Sequence, residues 1–186
     1  MAEAPPFKVL VVCTGNISRS PVVQHLLASG LADPSLQVSS AGTHAVVGAG
    51  VDPPMRELLA GIGIGSAEFR ARQLKSYLLS DVDLVLGLTR EHRATAVKLE
   101  PSIVRRSFTL REFVRILPTA GPFFGRTVGE RLHAATEAAA LARMRVPATR
   151  PDDDDVIDPY GAPIQVYRRV FAELFDATEA IGQAVA

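Results

Sequence analysis

"KVLVVCTGNISRSPVVQHLL", residues 8–27, decides how this chain is read. Its apolar run from Val9 to Val12 has the length and valine content of a strand buried on both faces. The run stops at Cys13, the only cysteine among 186 residues. Six positions on stands Arg19, followed by Ser20, Pro21 and a helical apolar pattern. Ser20 reads as the N-cap of that helix and Pro21 as its first residue, where a missing N–H costs nothing.

In a strand–loop–helix of this kind the N–H groups of residues 14 to 19 can curl round one centre. Such a concave run ahead of a helix N-terminus binds anions. Gly15 and Asn16 both tolerate the positive φ that the curl needs. Arg19 offers a planar fork that grips two phosphate oxygens at once. Thiols at helix N-termini ionise more readily than free ones. A lone cysteine is more often a small buried hydrophobe. Its conjunction with Arg19, Gly15 and the strand–helix context favours chemistry. The pattern reads as a nucleophile, Cys13, on the floor of an oxyanion cradle walled by Thr14, Gly15, Asn16, Ile17, Ser18 and Ser20, with phosphorus the atom attacked.

Outward from that unit, strand and helix alternate. Strands are expected at 7–12, 36–42 ("LQVSSAG"), 82–88 ("VDLVLGL") and 102–108 ("SIVRRSF"). Helices are expected at 53–63, ended by glycine, after an N-cap at Thr89, over "LREFVRIL", and over the long "APIQVYRRVFAELFDATEAIGQAV" with an apolar face at Val166, Val170, Leu174 and Ala177. The alternation predicts an α/β fold, a central four-stranded parallel sheet with helices on both faces in a single three-layer domain. Residues 118–157 fit least well. Their alanine-rich helix "ERLHAATEAAALARMR" would bury little area alone and reads as an elaboration of the same domain.

Twenty basic residues balance twenty acidic ones, which excludes a global field for nucleic acid or anionic membranes. The apolar runs are too short for a membrane span, and "MAEAPPF" has neither the basic nor the apolar region of a signal peptide. A lone cysteine makes no internal disulfide, so a cytoplasmic protein is expected. His25, His44, His92 and His133 lack metal-ligand spacing, and "GIGIG" (61–65) follows a helix rather than a strand and reads as a helix stop. No metal and no cofactor is expected.

"VCTGNISRSP" resembles the phosphate-binding signature of the low-molecular-weight protein tyrosine phosphatases. "SAGTHAVVGAGVDP" (40–53), "RARQL" (70–74), "DLVLGLTREH" (83–92) and "DPYGAPIQVYRRVF" (158–171) resemble, in order, later segments of the bacterial members. The likeness runs over most of 7–117 and 156–182 and marks 118–155 as an insertion in a single domain, 1–186. It implies that Cys13 is the nucleophile, that Arg19 binds phosphate and stabilises the transition state, and that Asp158 is the general acid. A departing phenolate needs such an acid on chemical grounds, and the loop has none to offer. The resemblance also implies that Asn16, Ser20 and Ser40 brace the loop, and that Tyr160, with His44 and Val46, lines the slot for the aryl ring. The implied partner is a phosphotyrosine protein, and by analogy the tyrosine-rich tail of a bacterial kinase.

Three departures stand out. Ser18 occupies a position that is often a second cysteine. Phe69 replaces a histidine of the bracing network, which leaves Ser40 short of a partner. Gly161 and the small residues near Val46 replace aromatics and imply an open slot. Rival readings are a single-cysteine arsenate reductase using a small thiol, a protein-arginine phosphatase, whose loop typically has threonine where Ile17 stands, and a phosphoprotein-binding module with a dead loop.

Overall fold

Four parallel strands lie side by side in the order β2-β1-β3-β4, with β1 at Phe7–Cys13, β2 at Leu36–Gly42, β3 at Leu84–Gly87 and β4 at Ser107–Thr109. This computed structural model describes residues 5–148 and 150–186; residues 1–4 of the "MAEAPPF" stretch and Thr149 of the 118–155 segment lie outside it. Apart from the half-buried Lys8, strand β1 is apolar because both its faces are covered. Phe7, Val9, Val11 and Cys13 turn to one core, which receives α1 (Arg19–Leu31), α2 (Pro53–Gly61), α5 (Leu110–Ala120), α6 (Val128–Ala142) and α7 (Ile164–Val185). Leu10 and Val12 turn to a second, smaller core with Leu79 of α3 (Ser76–Ser80), Ala96 of α4 (Arg90–Leu99) and Ile103. Three layers result, as the sequence predicts.

The chain leaves β1 for β2 on one side and then returns past β1 to β3 on the other. Strand order therefore reverses between β1 and β3, and the loops at their carboxyl ends border the crevice where open α/β sheets bind ligands. The loop after β1 holds Cys13–Arg19, and the loop after β3 leads into α4.

Several elements differ from expectation. Residues 102–108 do not form a strand: Pro101–Arg106 is a 3-10 helix, and only Ser107–Thr109 pairs with β3. Pro101 starts that helix, and the Glu100 carboxylate caps it by accepting from the Ser102 N–H (3.3 Å) and hydroxyl (2.6 Å). Local capping outcompetes the β-branched pair Ile103–Val104. Helix α1 begins two residues early, at Arg19, with Ser18 at the cap, so Ser20 is not the N-cap and Pro21 is the third helical residue. The Ser20 hydroxyl is engaged in the loop instead. On α7 the buried side is Tyr167, Val170, Phe171, Leu174, Thr178, Ile181 and Val185, with Val166 and Ala177 at its margins.

Helix α6 enters the larger core through Val128, Leu132, Ala135, Ala139 and Ala142. Gly129 lets it dock against the turn before β2: its N–H donates to Ser35 Oγ (2.9 Å), and a Cβ there would lie 2.5 Å from the Ser35 carbonyl oxygen. The alanines allow close approach, while Leu132 supplies the larger share of burial, about 1.5–3 kcal/mol for a side chain of its size. Among the described residues no helix is long and apolar enough to cross a membrane.

Candidate active site

The loop after β1 is held from outside by its carbonyls. Cys13 O accepts from Thr43 N (2.9 Å), Thr14 O from His44 N (2.9 Å), Gly15 O from Val46 N (3.0 Å) and Ile17 O from Asp52 N (2.8 Å). In a trans peptide the N–H of the next residue points opposite to the carbonyl. Tying four carbonyls outward to 43–52 thus turns the intervening N–H groups inward, toward the N-terminus of α1 and its positive dipole end. The sleeve fits closely: a Cβ at Gly42 would fall 2.4 Å from Thr14 O, so only glycine ends β2 there. Asn16 has φ +54°, a left-handed conformation that asparagine tolerates better than most residues.

Asn16 is also the hub of the brace. It is fully buried, and its Nδ2 donates to Ser20 Oγ (2.9 Å) and to Ser40 Oγ (2.8 Å), while Oδ1 accepts from Arg72 N (2.8 Å). The Arg72 N–H fixes which end of the amide is which. Ser40 gives its own hydrogen to Gln24 Oε1 (2.7 Å). Ser20 Oγ, having accepted from Asn16, has its hydrogen free for Cys13 Sγ, 2.9 Å away. The partner that Ser40 lacked in the sequence reading is therefore Gln24. Phe69 stands outside the brace and packs edge-on against His25, centroids 5.9 Å apart. Gln24 was legible in principle: it is the polar residue four positions after Ser20, hence on the same helix face.

Arg19, only 3% exposed, points its fork at Asp158. Nη2 donates to Asp158 Oδ2 (2.6 Å) and Nη1 to the carbonyl of Val156 (3.0 Å), which brings together residues 139 positions apart. Asp158 Oδ1 accepts from Tyr160 N (3.2 Å). Val46 stands beside Gly15 and Ile17, its Cγ2 3.8 Å from where a Gly15 Cβ would be. The His44 and Tyr160 side chains are exposed, and the His44 ring is 3.3 Å from Thr43 Oγ1. Cys13, Thr14, Gly15, Asn16, Ile17, Ser18, Arg19, Ser20, Ser40, Val46 and Asp158 thus form one constellation, with His44 and Tyr160 at its rim. The Ser18 hydroxyl is buried without a partner among the described residues.

The sequence reading missed His92. Its Nε2 lies 2.9 Å from Thr14 Oγ1 and its Nδ1 3.0 Å from Thr89 Oγ1, the hydroxyl that caps α4. Burial, and then the Arg19 charge, push its pKa down to about 4, so a neutral imidazole faces the loop near pH 7. The signal lay in "TREH": a residue three after an N-cap lies over the cap. Asp52, the N-cap residue of α2, was missed as well. Burial drives its carboxyl up to about 6, and among the described residues neither oxygen has a well-formed hydrogen bond, although the Tyr167 hydroxyl is near enough to oppose the shift. Among the described residues no acidic, histidine and cysteine side chains cluster as a metal site.

The sequence profile of the family described as low molecular weight phosphotyrosine protein phosphatase matches residues 8–119. The chain is 30% identical over 169 residues to the protein-arginine-phosphatase of Geobacillus stearothermophilus, covering 91% of this chain and 89% of that one. It is 39% identical over 104 residues to the probable low molecular weight protein-tyrosine-phosphatase EpsP of Ralstonia nicotianae, covering 56% and 70%. The solved YwlE arginine phosphatase of Geobacillus stearothermophilus matches with TM-score 0.70 at 28% identity, covering 96% of this chain and 92% of that one. The Erwinia amylovora tyrosine phosphatase AmsI shares the fold, with TM-score 0.72 at 22% identity over 100% and 97%.

Proposed function

This chain belongs to the low molecular weight phosphotyrosine protein phosphatase family, and on that premise we propose that it hydrolyses aryl phosphate monoesters, above all phosphotyrosine in a protein, through a phosphocysteine intermediate. Cys13 Sγ attacks phosphorus as the bond to the aryl oxygen breaks, and the Asp158 carboxyl gives that oxygen its proton. Water then attacks phosphorus, the S–P bond breaks, and the same carboxylate takes the water's proton. The inward N–H groups and the Arg19 fork hold the equatorial oxygens. As Arg19 turns to the phosphoryl group its hold on Asp158 loosens, which frees the carboxyl to meet the leaving oxygen.

The observation that carries this reading is the 2.6 Å contact between Arg19 and Asp158, which sets a carboxyl at the mouth of the cysteine loop. A binding module has no use for it, and a bare oxyanion such as arsenate has no leaving aryl group to protonate. The 30% identity over nearly the whole chain favours a second reading, a protein-arginine phosphatase. Against it, the half-buried Ile17 packs on the core and, with Val46, flanks Gly15 with apolar groups. Such a wall suits an aromatic ring and gives a guanidinium no acceptor.

The open rim at Tyr160 and Gly161 admits a flexible phosphotyrosine segment such as the tail of a tyrosine kinase. We place the protein in the cytoplasm, where a nucleophilic thiol stays reduced. Residues 1–186 are read as one domain elaborated by 118–155, a reading supported by the entry of α6 into the larger core.

The deciding experiment measures kcat/KM on phosphotyrosine, phosphoarginine and phosphoserine peptides, beside an arsenate reduction assay. Phosphotyrosine should lead, vanadate should inhibit, and a chelator should not. Cys13→Ser should be inactive yet bind phosphate, and Arg19→Lys should lose nearly all turnover because a point charge cannot replace a fork. Retained activity in Cys13→Ser would sink the mechanism, and a preference for phosphoarginine would replace the substrate.

A further inference from the structure

The base of the loop that carries Asp158 is pinned to the end of β3 and the start of α4, where Val156 N donates to the Leu88 carbonyl (2.8 Å) and Arg90 N to Asp155 Oδ1 (2.7 Å). Beyond that base two tethers hold it among the described residues, and they differ in what substrate does to them. One is Arg19, through Asp158 Oδ2 and the Val156 carbonyl. That tether is given up at least in part when the same fork grips a phosphoryl group. The other lies on the far side of the loop. The N–H of Gly161, a residue at φ +74°, donates to the Tyr167 hydroxyl (3.2 Å). Tyr167 comes from the first turns of α7 and is 5% exposed. Its hydroxyl, having accepted from Gly161, has one hydrogen to give, and the neighbouring acceptor is the buried Asp52 carboxyl. Asp52 is itself fastened to the cysteine loop, because its N–H donates to the Ile17 carbonyl (2.8 Å). Tyr167 thus bonds to the loop of the acid and lies beside Asp52, which bonds to the loop of the nucleophile, so the two loops are linked through this packing without passing through Arg19.

We propose that Tyr167, backed by Asp52, is a positioning residue that holds the Asp158 loop through the Gly161 amide while Arg19 is occupied by phosphate. It sets how well the acid reaches the leaving oxygen. Among the described residues the Asp158 carboxylate has one other support, the Tyr160 N–H, which belongs to the same loop and moves with it. Pinned at its Asp155–Val156 base but released beyond it, the loop can shift at Asp158, and a misplacement near 1 Å is enough to cost on the order of 10²-fold in rate.

The inference rests on Asp158 being the acid, and its test separates the two. Tyr167→Phe keeps the ring and removes the hydroxyl. Turnover of phenyl phosphate should fall roughly 10-fold while that of para-nitrophenyl phosphate, whose leaving group needs little protonation, should change less than about 2-fold. Combined with Asp158→Asn, the same change should cost nothing further, and inhibition by vanadate should be unaltered. Asp52→Ala should reproduce the leaving-group-dependent loss in a chain that keeps Tyr167, and Asp52→Asn, which keeps an acceptor, should restore most of it. Equal losses on both substrates, or an undiminished loss in the Asp158→Asn background, would overturn the proposal while leaving Asp158 in its role. If Asp158→Asn alone shows no leaving-group dependence, the acid assignment fails first and the proposal falls with it.

Discussion

Replacing Asn16 by alanine removes three hydrogen bonds from a fully buried position: two donated to Ser20 and Ser40, and one accepted from the Arg72 N–H. At about 1 kcal/mol net apiece these amount to roughly 3 kcal/mol, and the orphaned Arg72 N–H raises the loss toward ~4 kcal/mol. The backbone adds a further cost. At φ +54° alanine carries a left-handed penalty of about 1 kcal/mol that asparagine partly avoids and glycine escapes. The expected destabilisation is therefore about 4–5 kcal/mol for Asn16→Ala and about 1 kcal/mol less for Asn16→Gly. For a chain of this size the alanine variant should melt roughly 8–20 °C lower. Urea unfolding followed by circular dichroism on the wild type and both variants gives the comparison, with kcat measured on the folded fraction. Turnover should fall in both variants because nothing then aims the Ser20 hydroxyl at sulfur. An alanine variant within about 1.5 kcal/mol of wild type would refute the buried-hub account, and a glycine variant no better than alanine would refute the backbone part.

Two groups pull stability in opposite directions below neutral pH. The His92 pKa is depressed from 6.5 to about 4, so the stability tied to its neutral form is complete above 6.5 and is lost as pH falls toward 4. The Asp52 pKa is raised from 3.8 to about 6, so its contribution is complete below 3.8 and is lost as pH rises through 6. Each is worth up to about 3 kcal/mol, and over pH 4–6 they largely cancel. His92→Gln should leave a protein that gains stability on acidification from pH 7 to 5, and Asp52→Asn one that loses it; urea midpoints at the two pH values decide, and matching slopes in both variants would contradict the assignment. Peroxide should inactivate the enzyme with poor recovery in thiol reductant, because Ser18 cannot form the disulfide that would intercept Cys13 sulfenic acid. Recovery after matched inactivation should be better in Ser18→Cys, and equal recovery without a small thiol would end that reading.

What the sequence made legible was whatever rests on short-range rules. The valine run, the Cys13–Arg19 spacing and the Thr89 cap each follow from neighbours in the chain, and each stands where expected. The 102–108 segment misled because Glu100 and Pro101 make a local turn cheaper than a long strand, a competition that composition alone does not weigh. Ser20 misled in the other direction: its capping preference is genuine, but Asn16 and Cys13 offer the hydroxyl better partners across the loop. Asp52 and Tyr167 were unreadable for a different reason. They meet only because α2 and α7 pack on the same core, and a pairing 115 positions apart leaves no periodic trace.

The outward carbonyls and the anchored Asn16 amide bear on the cost of the second half of the reaction. In water, negative charge returning to sulfur as the S–P bond breaks would have to wait for solvent dipoles to swing round. Here the Arg72 N–H holds the amide, the amide holds Ser20, and the Ser20 hydrogen already faces Sγ before any charge arrives. The surroundings of the sulfur need not rearrange, so the work of orienting them was done once, when the chain folded, and is not repeated at each turnover.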